Sequence, residues 1–398
     1  MKTSTNIKHK MTDAPFSKYL KLITGLCSFG LIVTVIINYT TDPANIYPSL
    51  LASDSHNKPS PKDIVEQLVQ SDHGVIIQNN IWNERDIKHA LALHPTTAQC
   101  AVMGSSRAIQ ISSVGKERSL SDNCPSLINL GVSGASLEDY LALSETILRN
   151  ERPPRVIVFN IDPWSLNFNR DSRWIRYKQD FFNMQAKLEG EYHDDNSSSS
   201  LGLLRNLINR EYLHRSVQLM LSERKLSIEN APEFDHQVGL DDRVLLPDGS
   251  LIYSGKYIRN AHASKISNIN AIAGKLAAEV YNLNIVFKIR GSRWVTEKAV
   301  ELFIRLVNHL QQQKFKIIVV LVPSHPAVWN ITEQSTAMNV VESKVHEIAR
   351  LTGTQVIGSY NPGNIGCTAD EFFDADHGKA ICLTKLERVS ASYHPKKE

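Results

Sequence analysis

Apolar residues fall along this chain in three patterns. The first is a continuous run. Residues 19–39, YLKLITGLCSFGLIVTVIINY, include 18 successive residues after Lys21 without a charge. As a helix rising about 1.5 Å per residue, such a run is long enough to cross the hydrocarbon core of a bilayer. The second pattern is a set of short apolar runs at 100–104, 126–131, 155–160 and 316–322, each bounded by Gly, Asn or Pro. Short continuous runs mark strands buried on both faces. The third is helical spacing between these runs. It is weak at 62–70 and 84–94, and clearer at 136–149, 294–313 and 334–351, with a further strand near 354–358. A helix is also expected to start at Ser105 or Ser106. Strands alternating with helices predict βαβ units and a parallel sheet, in a three-layer α/β sandwich of flavodoxin-like kind.

Residues 164–290 interrupt this rhythm. They carry a polar tract at 193–200, a predicted helix at 265–282, and Pro247-Asp248-Gly249 between two apolar arms. The latter is a turn signal and predicts a hairpin over 244–253. The organisation is then a tail at 1–18, an anchor at 19–39, and a membrane-proximal linker with helices at 40–98. The first part of the α/β core occupies 99–163, an insertion 164–290, and the second part of the core 291–398. The insertion is most simply a cap over the sheet edge.

Charge sets the direction of the anchor. Lys2, Lys8, Lys10, Lys18 and Lys21 precede the run, with Asp13 the one acidic residue among them. The positive-inside rule keeps that side in the cytoplasm and exports the residues after Tyr39. A cleaved signal peptide is the rival reading; the run is long for one, and no small-x-small site stands at its end. The expected location is a bacterial inner membrane, single-pass, with the C-terminal part in the periplasm or outside. A hydrophobic share of 42% and a charged share of 21% exclude a disordered chain and a polytopic membrane protein. A net charge of +3 argues against nucleic acid as partner. Five cysteines without a CxxC pair exclude a disulfide scaffold and that type of zinc site.

In an open parallel sheet, ligands bind beyond the carboxyl ends of the strands. Four segments are predicted there: Gly104-Ser105-Ser106-Arg107, Asn129-Leu130-Gly131-Val132-Ser133-Gly134, Asn160-Ile161-Asp162-Pro163 and Asp374-Ala375-Asp376-His377. A serine at a strand-to-helix turn presents its hydroxyl at the sheet edge, beside backbone N–H groups able to hold an oxyanion. An Asp three residues before a His can fix the imidazole tautomer while the other ring nitrogen takes the serine proton. Each segment also has a bland reading. Ser105 and Ser106 can simply cap a helix. Gly134 can be a close-packing glycine, and Asp374 and His377 a surface turn. His325, after the fourth apolar run, reads either as a pocket-lining residue or as a loop histidine without a role. Arg170, Arg173, Trp174 and Arg176, with Tyr177 and Lys178, interleave basic and aromatic groups. They are candidate cap or substrate contacts that would grip an acidic polymer, or an ordinary solvated helix face.

With these four segments in this order, the chain resembles the SGNH (GDSL-like) hydrolase superfamily. More narrowly it resembles the membrane-anchored members that modify envelope polymers, such as teichoic-acid D-alanylation and alginate O-acetylation proteins. The likeness covers roughly 40–165 and 295–390. It implies Ser106 as nucleophile, His377 as proton shuttle and Asp374 as its orienting carboxylate. It implies an oxyanion hole from the N–H groups of Ser106 and Gly134, with Asn160 as a further donor. One block departs: where the family has Gly-x-Asn-Asp, this chain has Asn160-Ile161-Asp162-Pro163, and an ionised Asp162 cannot donate a hydrogen bond. In the SGNH sheet the strands begun by Cys100 and preceded by Cys124 are parallel neighbours. This implies a Cys100–Cys124 disulfide, and Cys367–Cys382 would bracket the histidine loop likewise; the alternative is four reduced, buried thiols. The implied function is an O-acyltransferase or acyl-esterase on an envelope or extracellular polysaccharide, with no metal or organic cofactor. The bilayer, a polysaccharide and a membrane-bound acyl exporter would be its partners. The reading from another class is a non-catalytic SGNH-like scaffold in a polysaccharide-modification assembly.

Overall fold

The charge-free run folds as a single helix, α1 (Ala14–Thr41). The structure, a computed structural model, describes residues 14–41, 59–77, 83–167, 173–189, 207–220, 228–263 and 295–393. The polar tract at 193–200, the helix expected at 265–282 and Arg170 lie outside the described residues. In chain order the longer elements after α1 are α2 (Pro61–Gln70), β1 (Val75–Ile77), α3 (Glu84–Leu93), β2 (Cys100–Met103), β3 (Leu127–Asn129), α4 (Leu137–Leu148) and β4 (Val156–Asn160). Then come α5 (Lys178–Glu189), α6 (Arg210–Met220), β5 (Glu229–Asn230), β6 (Arg243–Leu245), β7 (Leu251–Ile252) and α7 (Gly255–Ala263). The chain closes with α8 (Glu297–Gln312), β8 (Lys316–Leu321), α9 (Thr332–Thr352), β9 (Gln355–Gly358) and β10 (Ser390–Ser392).

Two compact units result: residues 1–53 with 196–223, and residues 54–195 with 224–398. In the first, Lys18–Thr41 has a mean hydropathy of 2.2 and is long and apolar enough to cross a membrane. Leu22, Leu26, Phe29 and Ile36 face outward, as a lipid-facing helix requires and a water-facing one avoids. Its polar side chains bond within the unit. Thr40 Oγ1 donates to Ile36 O at 2.9 Å, and buried Asn38 donates to Leu207 O at 2.8 Å and accepts from Ser216 Oγ at 2.9 Å.

The second unit holds a six-stranded sheet in the order β10-β9-β8-β4-β2-β3. The pairs from β9 to β3 are parallel, and β10 adds an antiparallel edge. Successive side chains of each strand alternate between two cores. Met103, Ile157, Phe159, Val319 and Leu321 pack with Leu141 of α4, Phe303 of α8 and Val345 of α9. Val102, Val156, Val158, Ile318 and Val320 pack with Ala108, Ile111, Leu383 and Leu386. Because both faces are buried, the strands read as unbroken apolar runs rather than as alternation.

A second, antiparallel sheet runs β5-β1-β6-β7. Its β1 precedes the core in sequence, and its other strands come from the insertion. The hairpin is present, with Val244 opposite Ile252 and Leu245 opposite Leu251. Gly249 sits at its turn with φ +81°, where a Cβ would come within 2.5 Å of Leu91 and 2.7 Å of Asn129 O. The turn therefore seats directly on the carboxyl end of β3, and only glycine allows that approach.

One expected element is absent. No helix starts at Ser105 or Ser106; residues 106–110 form a hydrogen-bonded turn, with Ala108 N bonded to Ser105 O at 3.0 Å. Carbonyls that a helix would reserve for its next turn have other partners. Asn129 Nδ2 donates to Ala108 O and Ile111 O at 2.9 and 2.8 Å, and Leu251 N donates to Ile109 O at 2.9 Å. A helix dipole therefore does not support this turn, and its individual N–H groups are what it offers.

Both cysteine pairs stand at disulfide distance. Cys100 and Cys124 have Cα atoms 5.7 Å apart, and Cys367 and Cys382 are at 5.4 Å. With sequence separations of 24 and 15, each bridge is expected to stabilise the fold by about 3 kcal/mol. Thiol counting on the denatured, unreduced chain should find one free thiol, Cys27. Three or five would remove one bridge or both.

Candidate active site

The parallel sheet carries the ends of β2, β3 and β4 to one edge, where the three strand-end segments meet the loop at 372–378. Ser105 and Ser106 divide two tasks. Ser105 is fully buried, and its Oγ accepts from Arg107 N at 3.2 Å, holding the turn. Ser106 is half-buried, and its Oγ lies 2.8 Å from His377 Nε2. His377 Nδ1 lies 2.9 and 2.8 Å from the two carboxylate oxygens of Asp374. An ionised carboxylate only accepts, so Nδ1 carries the ring proton and Nε2 is free to accept from the serine hydroxyl.

Asp374 is held from four sides. Besides His377 Nδ1, its Oδ1 accepts the backbone N–H groups of Asp376 and His377, both at 2.9 Å, and its Oδ2 accepts from Tyr257 Oη at 2.8 Å. Phe373 N bonds His377 O at 2.8 Å and closes the loop on itself. The Cys367–Cys382 pair brackets that loop in sequence. Tyr257 belongs to α7 of the insertion, and Tyr253, just after β7, stands edge-on to the His377 ring at 6.4 Å between centroids. The insertion thus completes the site with two tyrosines that no sequence pattern marked.

Arg107 joins the segments from beneath. It is only 2% exposed, a position that a guanidinium holds only with partners. Nε donates to Asp376 O at 3.2 Å, and Nη2 donates to Val322 O at 2.6 Å and Ser324 Oγ at 3.1 Å. Nη1 lies 3.5 Å from Asp162 Oδ1. The departing block is therefore structural in part: Asp162 is the buried counter-charge of the residue next to Ser106. Burial raises the Asp162 pKa, and the charge of Arg107 opposes that rise.

The remaining predicted residues are close by. Val132 N bonds Gly104 O at 2.9 Å, which lays the Gly131–Gly134 turn against the serine turn. Gly131 N bonds Asn129 Oδ1 at 2.8 Å, and Gly134 has φ +63°, a conformation suited to glycine. Asn160 is fully buried against Gly104, where a Cβ on the glycine would meet Asn160 Nδ2 at 3.2 Å. Its amide faces the Asp162 carboxyl and helps to hold that charge. His325 supports the histidine loop from its backbone: it is buried, its N–H donates to Ala375 O at 3.1 Å, and its Nδ1 accepts Ala327 N at 3.0 Å as a helix cap.

The basic-aromatic segment is tied to its own unit, although Arg176 and Lys178 stay exposed. Arg176 pairs with Asp86, Tyr177 Oη donates to Asp86 Oδ1 at 2.8 Å, and Trp174 packs on Phe181 at 4.7 Å. Arg173 stands in the same short helical turn. One group among the described residues gathers three metal-type donors, Cys367, Glu371 and Cys382. Its sulfurs are joined to each other, and Lys385 holds Glu371 at 2.5 Å.

The electrostatics suit a proton relay. Burial favours neutral Asp374, but His377, the Asp376 N–H and Tyr257 outweigh it and hold the carboxyl well below the usual range. Burial also disfavours imidazolium, yet the hydrogen bond and charge of Asp374 lift the His377 pKa above its ordinary 6.5. A base must be neutral to accept a proton. Any Ser106-dependent kcat/KM should therefore fall as pH drops through a value above 6.5, and Asp374→Asn should move that limb to lower pH. A pH–rate profile of both chains checks this, and an unmoved limb would contradict it. No known family model matches the chain, and no curated protein matches it.

Proposed function

We propose that this protein is a membrane-anchored SGNH-like enzyme that moves acyl groups on an envelope or extracellular polysaccharide, facing the periplasm from the inner membrane. The observation that carries the reading is the unbroken relay from Ser106 Oγ through His377 to Asp374, assembled from residues 268 to 271 apart in sequence. Two buried cores on opposite faces of the mostly parallel sheet support the three-layer architecture, and α1 supports the anchor.

The chemistry is that of an activated serine. Ser106 Oγ attacks the acyl carbonyl as its proton passes to His377 Nε2. The oxyanion that forms is stabilised by the N–H groups of Ser106 and Gly134. The amide of Asn160, packed against Gly104, adds the third donor that Asp162 does not provide. His377 returns the proton to the leaving alcohol, and an acyl-serine remains. A second alcohol or water then gives its proton to His377, takes the acyl group and frees Ser106. The aromatic wall of Tyr253, Tyr257 and Phe373, with ring centroids 4.7 to 5.8 Å apart, limits water there and favours a sugar hydroxyl as acceptor.

Incubating the full chain with an aryl acetate donor and an oligosaccharide, then measuring free acetate and acetylated sugar, tests the proposal. Acetylated sugar marks a transferase, and free acetate alone marks an esterase. Neither product with any acyl donor would leave a non-catalytic scaffold.

A further inference from the structure

A cleft of about 960 Å³ in the second unit is not lined by Ser106, Asp374 or His377. It is built from the segments that carry them. Gln110 lies four residues after Ser106, Phe373 immediately precedes Asp374, and Ile252 and Ile258 flank Tyr253 and Tyr257. Its size is at the upper end of small-ligand sites, about 300–1,000 Å³.

The lining has a definite character. Glu117, Glu233, Asp235 and Asp370 supply four carboxylates, and Glu371 a fifth whose charge Lys385 already offsets. Lys116 and Lys379 supply two ammonium groups, and Lys379 is turned to Asp370 O at 2.5 Å. Acceptors therefore exceed cationic donors, and a polyanion entering the cleft would meet net repulsion. Phe234 and Phe373 add flat apolar faces, of the kind that pack against sugar rings. Gln110 is only 6% exposed, and its Oε1 has no partner within the described residues. A buried carbonyl of this kind is satisfied by a ligand that donates a hydrogen bond.

We infer that this cleft, formed between Gln110, the 233–237 loop and Phe373, binds a hydroxyl-rich glycan segment without acidic groups. Resting on the acyl-transfer reading, it names the acceptor class: a neutral or amino-sugar polymer rather than a uronate or polyphosphate. Gln110 receives a sugar N–H or O–H, the carboxylates receive further hydroxyls, and the bound chain runs towards the serine turn. In the basic-aromatic segment, read as either a polymer grip or an ordinary helix face, Arg176 pairs with Asp86 and Trp174 packs on Phe181.

The test is equilibrium binding of sugar tetramers to the full-length Ser106→Ala chain in detergent, where no turnover intervenes. The probes are the tetramers of N-acetylglucosamine and of galacturonic acid. The neutral tetramer should bind at least about tenfold tighter, and Gln110→Ala should weaken it by about tenfold. Glu233 is exposed, so Glu233→Lys leaves the fold intact and should narrow the preference between the two probes. Equal or tighter binding of the uronate, no binding of either at millimolar concentration, or affinity unchanged in both variants would overturn the assignment. Labelling of Ser106 in the parent chain by a fluorophosphonate separates the two claims. Neutral-tetramer binding without labelling supports the cleft and removes the acyl chemistry. Labelling without binding keeps the chemistry and overturns the cleft.

Discussion

Ser106→Ala and His377→Ala should each lower kcat/KM for acyl transfer by about 10³-fold or more, and the double variant should be little worse than either. The reason is the shared proton. Without the Nε2 contact at 2.8 Å the hydroxyl is a weak nucleophile, and without the hydroxyl the imidazole has nothing to activate. Asp374→Asn should cost less than either, yet still a large factor, because an amide also satisfies the wrong imidazole tautomer. Ser105→Ala should be mild, since that hydroxyl serves the buried turn, accepting Arg107 N and facing Asp162, and does not touch His377. Initial rates with an aryl ester decide it. A dead Ser105→Ala beside an active Ser106→Ala would place the nucleophile one residue earlier.

Arg107→Met should destabilise the fold by about 3–5 kcal/mol at neutral pH, because it leaves Asp162 buried without its counter-charge. The loss should depend on pH in a definite direction. Burial already lifts the Asp162 pKa in the folded chain, and removing Arg107 lifts it further. The folded state then holds a proton that the unfolded state, with a carboxyl near pKa 3.9, has released. Stability therefore falls as pH rises from about 4 through the raised value, and the variant's deficit should shrink towards acid pH. Asp162→Asn in the same chain should restore most of the loss. Thermal unfolding across pH measures all three effects, and a deficit below about 1 kcal/mol that ignores pH would contradict the account.

The parallel strands β2, β3, β4, β8 and β9 were legible because burial on both faces leaves little room for polar residues, whereas the β10 edge, largely exposed, was not. The helix spacing at 294–313 matches α8 (Glu297–Gln312) because one stripe of it faces the core, and that at 136–149 matches α4 (Leu137–Leu148), which is buried all round from Leu137 to Ile147. The Pro247-Asp248-Gly249 turn was legible because glycine at φ +81° is a local requirement. What escaped the sequence is long-range. Tyr257 reaches Asp374 across 117 positions, and the three-residue β1 pairs with strands more than 150 positions later. Neither leaves a period or a motif. The missing helix after Ser106 has the same cause, since the distant Asn129 and Leu251 bond carbonyls of this turn. In the sequence Arg107 is one cation beside a serine pair; only the fold shows that Val322, Ser324, Asp162 and Asp376 surround it.

The central claim is that His377 makes Ser106 a nucleophile. A fluorophosphonate reacts covalently only with such an activated hydroxyl, so the full chain in detergent should gain one adduct, mapped by peptide mass spectrometry to Ser106. The adduct should disappear in His377→Ala and persist in Ser105→Ala. Absence of an adduct from the folded parent chain, or an adduct unchanged by His377→Ala, would contradict the account.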